Sequence, residues 1–462
     1  MQALTITKNM DAGIGIGGLN NEREEFAHSK FDLFGKTEYE IGVKKCISQT
    51  FRPLTTSSSD GPFSFLIPAD PEKFTDAESL RLHGKMRIRK KSLADGTLSN
   101  LNDEYVSPVN NVFNSLWSSV NTKLNGCEIS DPSSKWYAYK AYFENHLSYS
   151  SPSKNNILSF KGYVADTASK FDDVGNSGST TPSLNEGFLK RKEMFKSSNW
   201  VYFCVNLHID ITTLRKHIPP GIKIELDFER NPDSFCLLSD KAVGNYAIEL
   251  EDLRLKVDRI IPGDSIMNFY RASLQKKIQP RLPIDRSLLK TYTVTTGTSD
   301  LSEYNIITGA QLPEQVIVAI VGEDAHRGNI TKNPFNFKDY NISEASLVVN
   351  GVHEPHELYR LNKSIEDQVD MYANFLENTG ISTDDREFGI SMQDYYGGSF
   401  MLVWDRTPDK CNRFHRHITD SGSISINLKT RDPLQQTVTV VIYATYSKDL
   451  IIDGDRVLTD AF

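Results

Sequence analysis

The clearest indication of the fold is the segment Leu80-Arg81-Leu82-His83-Gly84-Lys85-Met86-Arg87-Ile88. Its even positions are apolar or glycine, and its odd positions are basic. Successive side chains of a β-strand point to opposite faces of a sheet, so this alternation predicts a strand with one buried face and one face in water. The basic face has the composition of a nucleic-acid surface, but the net charge of −8 favours an ordinary solvated strand face.

The same period-two alternation recurs along the chain and is its commonest pattern. It recurs at 63–67, 201–209, 222–228 and 248–260. Further strands are predicted at 291–295, 316–321, 346–350, 400–404, 424–428 and 438–452, from their place in the repeated order of elements. Between Leu250 and Leu253 the apolar parity switches, which predicts a β-bulge. Convincing helical spacing occurs in two segments, 135–149 and 365–378. Many short strands and few helices predict a β-sandwich or barrel architecture.

One order of elements occurs twice. Each half contains strands, then an Asn-Gly turn (Asn125-Gly126 and Asn350-Gly351), then a helix, and then further strands. The segments 221–232 and 422–433 are each 12 residues long and end in Arg-Asn-Pro and Arg-Asp-Pro, although their apolar positions are offset by one. We interpret this shared order as an internal repeat of one architecture.

The 462 residues exceed what one core supports, since single cores stop growing at roughly 250–300 residues. We predict a flexible N-terminal arm at 1–35, a first sandwich at 36–265 with a long exposed loop at about 148–187, a linker at 266–285 and a second sandwich at 286–462. Halves of this size fit eight-stranded jelly rolls better than immunoglobulin-like sandwiches. The predicted fold is therefore all-β, with two tandem eight-stranded jelly rolls and a few short helices in loops.

Composition excludes several classes of protein. Apolar residues make up 39% of the chain and charged residues 24%, which is typical of a soluble globular protein. No apolar run reaches the roughly 18 residues that a membrane-spanning helix needs. The five cysteines are scattered and form no CxxC pair, which indicates reduced thiols in the cytosol or nucleus. The negative net charge argues against a protein that condenses nucleic acid.

No chemical site is predicted: we assign no catalytic residue, no cofactor and no metal ligand. His353-Glu354-Pro355-His356 has two histidines at i and i+3, but Pro355 argues against the helix that would bring them together. Cys411, His415 and His417 form a loose cluster that lacks a fourth ligand. The glycines of 13–18 have no strand before them, unlike a phosphate loop. Two alternatives stay open, a jelly-roll enzyme with a metal at one of the histidine pairs and a spike-like or lectin-like protein that binds carbohydrate or a receptor.

Several stretches together carry a resemblance to a known family. In chain order they are Pro108-Val109-Asn110-Asn111, Ser115-Leu116-Trp117-Ser118-Ser119-Val120, Tyr139-Lys140-Ala141-Tyr142-Phe143-Glu144, Asp166-Thr167-Ala168, Asn333-Pro334-Phe335-Asn336-Phe337 and Val441-Ile442-Tyr443-Ala444. Their order resembles the double jelly-roll major capsid proteins of Polinton (Maverick) elements and adintoviruses, over about residues 31–457. The lead-in to the helix at 135–149 and the region around Asp449 depart from the family pattern.

The resemblance implies a structural role. Family members form homotrimers whose six sandwiches make a pseudo-hexagonal capsomer, and these capsomers tile an icosahedral shell around double-stranded DNA. It implies a virion capsid protein, not an enzyme, assembled in the nucleus or cytoplasm of a host cell. The implied partners are other copies of the chain, a single jelly-roll penton protein and DNA enclosed without specific recognition. We expect one loop at the contacts between subunits, formed by Asn333, Pro334, Phe335, Asn336 and Phe337.

Overall fold

The structure is a computed structural model. It describes residues 39–54, 61–102, 104–130, 137–175, 183–241, 246–361, 364–380, 388–408, 417 and 420–453. The predicted N-terminal arm therefore lies outside the described residues.

The first half of the chain forms two facing antiparallel sheets. One sheet has the strand order β1-β8-β3-β6 and the other has the order β2-β7-β4-β5. The eight strands are β1 (Val43–Phe51), β2 (Phe63–Ile67), β3 (Phe74–Lys91), β4 (Trp117–Leu124), β5 (Cys127–Glu128), β6 (Val201–Asn206), β7 (Ile224–Arg230) and β8 (Tyr246–Pro262).

The second half repeats this arrangement strand for strand. Its sheets have the orders β9-β16-β11-β14 and β10-β15-β12-β13, and every strand pair is antiparallel. The strands are β9 (Arg281–Val294), β10 (Glu303–Gln311), β11 (Gln315–Gly322), β12 (Ile342–Val349), β13 (Val352–Arg360), β14 (Met401–Asp405), β15 (Ser421–Thr430) and β16 (Val438–Ile451).

Adding eight to each strand number of the first half gives its counterpart in the second half. Two four-stranded antiparallel sheets with this crossing order form a jelly roll, so the predicted fold class is confirmed. Three short strands lie outside the pattern: Leu98–Ser99 pairs with β3, and Val106–Pro108 pairs with Leu237–Ser239.

The alternating segment 80–88 lies in β3, where Leu80, Leu82, Met86 and Ile88 are buried. Gly84 lies on the same buried side, where a larger residue would not fit. A Cβ there would lie 2.8 Å from side-chain atoms of Leu253 and Phe203. Leu253 reaches this position because the register of β8 against β3 shifts between Glu251 and Arg254, and Asp252 has φ 54°. The predicted bulge is confirmed.

The two Asn-Gly turns close equivalent hairpins. Asn125 and Gly126 have φ of 50° and 84° between β4 and β5, and Asn350 and Gly351 have φ of 51° and 84° between β12 and β13. Positive φ at both central residues defines the type I′ turn, whose twist matches that of the flanking strands. The predicted turns are therefore confirmed, with the same geometry in both sandwiches.

The two halves match in their strand pairing at a place where their sequences are offset by one residue. Leu124 pairs with Ile224 at the end of one hairpin, and Val349 pairs with Ile424 at the equivalent point of the other. With this alignment, the apolar positions of β7 coincide with those of β15. The matching tripeptides Arg-Asn-Pro and Arg-Asp-Pro are consequently one residue out of structural register, although the two ladders shift at equivalent points, between Trp117 and Ser119 and between Ile342 and Glu344.

Nine α-helices occupy the connections in the described part of the chain. They are α1 (Val112–Ser115), α2 (Tyr137–Ser148), α3 (Ser151–Ser153), α4 (Glu186–Met194), α5 (Asp233–Cys236), α6 (Asp264–Gln275), α7 (Glu323–His326), α8 (Ile365–Asn378) and α9 (Met392–Tyr396). A π-helical turn (Lys154–Leu158) and two 3-10 turns (Lys196–Ser198 and Asp210–Thr213) complete the set. The predicted helices α2 and α8 are confirmed, and none of the described helices is both long and apolar enough to cross a membrane.

Two segments predicted to be irregular contain regular structure. The expected linker at 266–285 holds most of the exposed helix α6 and the first residues of β9. The expected loop at 148–187 holds α3, the π-helical turn and the start of α4. Parts of this loop are buried, among them Tyr163 and Phe171, so it is not the exposed end loop that we expected. The domain boundaries themselves stay a prediction.

Candidate assembly interface

The two sandwiches are held together by a cluster of aromatic side chains on α2 and the 333–337 segment. Tyr142 and Phe335 stack with ring centroids 4.3 Å apart and planes 3° apart. Phe143 lies 5.4 Å from Phe337 and 6.0 Å from Tyr443 of β16. Buried aromatic pairs add specific geometry to a large apolar area, so this cluster fixes how one sandwich sits on the other.

Helix α2 is buried on almost all sides. Nine of its 12 residues are buried, and these include polar Asn145 and His146. A helix packed on only one side buries a single stripe, whereas α2 is covered by its own sandwich and by the second one. Tyr139, for example, donates or accepts a 3.1 Å hydrogen bond with His326 on α7 of the second half. Helix α2 is therefore the main structural element of the inter-sandwich contact.

A buried polar layer lies beside the aromatic cluster. The backbone N–H of Asn333 donates to Asp172 (2.8 Å), and its side-chain amide donates to Asp166 (3.0 Å). The side-chain amide of Asn336 donates to Asp172 as well, at 2.8 Å. Because buried polar groups need partners, these bonds orient the 333–337 segment, and they come from the loop that we expected to be exposed.

An ion pair with almost no solvent exposure supports this layer. Arg191 of α4 donates to Asp166 at 2.5 Å, and the two side chains are 1% and 0% exposed. Arg191 also donates to the carbonyl oxygens of Pro108 and Val164. A buried charge pair is tolerable only when its remaining donors and acceptors also form hydrogen bonds. Here the other donors of Arg191 bind backbone carbonyls, and Asp166 also accepts from Asn333.

A second polar group joins α2 to the β9-β16-β11-β14 sheet. Glu144 accepts hydrogen bonds from His208 (2.6 Å) and from the hydroxyl of Tyr443 (3.0 Å). Burial by itself raises the pKa of Glu144. The charge of Lys140 and the hydrogen bonds from His208 and Tyr443 outweigh burial and hold the pKa at about 2. Glu144 is therefore a carboxylate at all ordinary pH values, and it binds across the inter-sandwich contact in that form.

The segment after β6 continues the contact onto β9. Lys140 pairs with Asp210 at 2.5 Å, and the hydroxyl of Ser287 on β9 donates to the same carboxylate at 2.8 Å. The hydroxyl of Thr213 donates to the carbonyl of Asp285 at 2.9 Å and accepts from its N–H at 2.9 Å. The helix side of the first sandwich is thus bound to the outer face of a sheet of the second.

The predicted contact loop is buried inside one chain. Asn333, Phe335 and Phe337 are 0% exposed, and Pro334 and Asn336 are also buried. We expected all five at contacts between subunits, and the structure instead places them in the contact between the two sandwiches. Their surface is already covered by α2 and the 166–172 segment. A role between subunits stays a prediction, and exposed neighbours such as Lys332 and Lys338 would have to carry it.

The candidate metal ligands are not brought together in the described part of the chain. His353 lies on β13, and its ring is 2.9 Å from the hydroxyl of Ser346. Cys411, His415 and the side chain of His356 lie outside the described residues, and no group of three His, Cys, Asp or Glu side chains among the described residues is placed to hold a metal. The four described cysteines form no disulfide.

Sequence reasoning missed Asp166, Arg191 and Glu144 as organising residues. Asp166 and Glu144 lie in stretches that carried the family resemblance, but nothing local distinguished them from solvated acids. The aromatic stripe of α2, Tyr139, Tyr142 and Phe143, has the ordinary width of a helix packed on one side, so it gave no signal of the second contact.

The fold and the inter-sandwich contact together define a class, the double jelly-roll proteins. The chain matches a chain of the Sputnik virophage with a TM-score of 0.59 at 12% identity, covering 97% of this chain and 94% of that one. It matches the Faustovirus major capsid protein with a TM-score of 0.57 at 11% identity, covering 92% and 93%. These likenesses establish the double jelly-roll fold.

Sequence comparison adds one relative. An uncharacterized protein of Caenorhabditis elegans is 22% identical over 326 residues, which are 70% of this chain and 74% of that protein. No protein-family model matches the chain. One of the two structural neighbours is thus a viral major capsid protein.

Proposed function

We propose that this chain is a major capsid protein of the Polinton (Maverick) and adintovirus kind, which homotrimerises into pseudo-hexagonal capsomers that tile an icosahedral shell around double-stranded DNA. One observation carries the proposal. Two sandwiches of identical strand order lie head to tail, with the helix side of one on the sheet face of the other. When a contact joins two different faces of similar units, repeating it builds a closed ring if the rotation from one unit to the next leads back to the first unit.

The composition of the contact supports a permanent assembly. The two sandwiches share a buried aromatic cluster, and Asp166, which Arg191 of the same sandwich holds in a buried ion pair, accepts a hydrogen bond from Asn333 of the second sandwich. One chain therefore supplies two rigidly placed units. Three chains supply six units, the number that a hexagonal tile needs. Other proposed partners are a single jelly-roll penton protein, and DNA that is enclosed without being recognised. Assembly would take place in the nucleus or cytoplasm of a host cell.

The proposal is tested by particle shape and mass. We expect the purified chain to give trimers by light scattering, and negative-stain micrographs to show hexagonal outlines with threefold symmetry. A strict monomer across protein and salt concentrations, with no change on adding a penton protein, would contradict it. Binding of glycans by that monomer would instead favour the carbohydrate-binding alternative.

A further inference from the structure

The contact inside the chain covers one sheet face and leaves its counterpart bare. In the second sandwich, register partners Ile317 and Tyr443 lie on the outer face beneath α2, and they are 3% and 6% exposed. In the first sandwich the equivalent face belongs to β1-β8-β3-β6, and there Tyr202 of β6 is 71% exposed. The repeated architecture therefore presents a topologically equivalent face twice, and among the described residues only the face of the second sandwich is covered.

Part of the first sandwich's face is basic, whereas Lys85 and Arg87 on the same face are paired with Glu251 and Glu249. Its register pairs include Arg81 with Lys256 and His83 with Arg254, on β3 and β8. We call these four residues together with Tyr202 the basic face. Burial, followed by the charges of Lys256, Arg254 and Arg81, lowers the pKa of His83, which reflects how closely the cations are grouped.

Two cations of the basic face lack a counter-charge. Arg254 pairs with Asp252 at 2.7 Å. Arg81 and Lys256 have no carboxylate of a described residue within ion-pair distance, although Arg81 is exposed and Lys256 half-buried. A face with unpaired cations and an exposed tyrosine suits a partner that is acidic and partly apolar.

Such a partner surface exists on the second sandwich. Helix α8 follows the Asn350-Gly351 hairpin as α2 follows the Asn125-Gly126 hairpin, but only three of its 14 residues are buried. The side chain of Ser364 caps its N-terminus by accepting from the N–H of Asp367. Helix α2 has its outer side covered by the second sandwich, whereas no residue that the structure describes covers the outer side of α8 in this way.

The outer side of α8 carries acids and apolar residues and no base. We call this surface the acidic stripe; its members are exposed and follow helical spacing: Ile365, Glu366, Val369, Asp370, Ala373 and Glu377. Ile365 is 79% exposed and Val369 47% exposed. Glu366 and Asp370 make no ion pair with any residue that the structure describes.

We propose that the acidic stripe of one copy docks on the basic face of a second copy of this chain. Glu366 and Asp370 would meet Arg81 and Lys256, and the apolar residues of the stripe would cover Tyr202. This inference rests on the proposed function and specifies its subunit contact: it repeats, between chains, the contact that α2 makes inside one. The basic residues of β3, whose composition is that of a nucleic-acid surface, would then bind the acidic stripe of α8.

The test is a charge-reversal series read out by mass photometry and light scattering across a dilution range. Asp370→Lys on the acidic stripe and Lys256→Glu on the basic face should each raise the concentration for half-dissociation of the trimer at least tenfold. The double variant should recover most of that loss, because it restores opposite charges across the contact. Lys170→Glu and Glu72→Lys, which change exposed residues elsewhere, are matched controls and should dissociate as the wild type does.

A second measurement locates the contact directly. A carbodiimide that couples carboxylates to lysines should link peptides containing Glu366 or Asp370 to peptides containing Lys256, in mixtures of isotopically light and heavy chains. Mixed light–heavy links show that the contact joins two chains. Circular dichroism and melting of each variant establish that the sandwiches remain folded.

The outcomes separate this inference from the proposed function. Trimers that are indifferent to both charge reversals, and that give no such cross-links, overturn the inference and leave the capsid proposal standing. A wild-type chain that is monomeric at every concentration overturns both. An unchanged trimer in which Lys256→Glu abolishes binding of a DNA oligonucleotide would assign the basic face to nucleic acid and also overturn the inference.

Discussion

Asn125 and Asn350 make the same pair of hydrogen bonds in the two sandwiches. Asn125 donates its N–H to the carbonyl of Lys223 (2.9 Å), and its side-chain oxygen accepts from the N–H of Lys223 (2.7 Å). Asn350 makes the corresponding bonds with Ser423, at 3.0 and 2.9 Å. In each sandwich the hairpin turn is tied to the residue before the apolar run of the neighbouring strand, which sets the register of that sheet.

Replacing Asn350 by alanine should destabilise the second sandwich by about 1–2 kcal/mol. The substitution removes an acceptor and puts a less tolerant residue at positive φ. Asn350→Gly is the control, since it keeps the backbone conformation and loses only the side-chain bond, so it should cost less. Thermal melting measures the difference, and faster hydrogen exchange at Ser423 should accompany it. Equal stability of wild type and Asn350→Ala would contradict this role.

Phe335→Ala should cost about 3–5 kcal/mol of stability because it empties the centre of the inter-sandwich cluster. Denaturant unfolding should also change from one transition to two as the sandwiches uncouple. Phe335→Leu retains most of the apolar volume and should cost less. Tyr304→Ala, at a 75% exposed aromatic, should stay within about 0.5 kcal/mol of the wild type. If Phe335→Ala behaved like Tyr304→Ala, the cluster would not hold the sandwiches together.

Breaking the buried ion pair should be costly from either side. Asp166→Asn and Arg191→Met each leave part of a hydrogen-bonded charge network unpaired, with an expected loss of about 3–5 kcal/mol. Arg191→Lys keeps the charge but lacks the fork of donors that reaches Asp166, Pro108 and Val164 together, so it should not rescue stability. A double-mutant cycle by urea unfolding measures the coupling between Asp166 and Arg191; additive losses would refute the pairing.

The inter-sandwich contact should weaken in acid. The pKa of Glu144 is about 2 in the folded chain, below its ordinary value of 4.5. A lowered folded-state pKa gives stability that is fully present above the unfolded-state value and is lost as the pH falls from about 4.5 towards 2. Melting temperatures across this range should fall less steeply for Glu144→Gln than for the wild type. The variant should be less stable near pH 7, and parallel curves would contradict the assignment.

Gly84 should not tolerate a side chain. In Gly84→Ala the added methyl group would lie 2.8 Å from both Leu253 and Phe203, and overpacking of this kind costs about 1–3 kcal/mol. The paired variant Gly84→Ala with Leu253→Ala makes room and should recover part of the loss by the same melting assay. A fully stable Gly84→Ala would show that the bulge can shift without cost.

Local patterns in the sequence predicted much of the fold. Alternation predicted β3, the parity switch predicted the bulge at Asp252, and the Asn-Gly pairs predicted two turns of the same type. These features depend on a few neighbouring residues, because strand alternation and positive φ are properties of the local backbone. Other features were not predictable in this way. Strand β10, for example, has no clear alternation, and its ladder with β15 is irregular.

The candidate site shows where local patterns stop being informative. Phe335 and Phe337 were recognisable as distinctive, yet a buried aromatic has the same sequence signature whether it packs within a chain or between chains. Asp166 and Arg191 are 25 residues apart and lie in a loop and a helix, so only the fold could pair them. The same limit applies to the basic face, whose odd-numbered residues of β3 acquire neighbours such as Lys256 only through the sheet.

Local sequence patterns determine which side of the alternating strands is buried, where the hairpins turn and that one architecture occurs twice. The partner of each surface follows from the tertiary structure: α2 packs against Phe335 and Tyr443, and no described residue covers the basic face. The physical reason is that burial and backbone conformation are set by local composition. The partner of a surface is set by contacts between residues far apart in the chain, which one strand or helix does not encode.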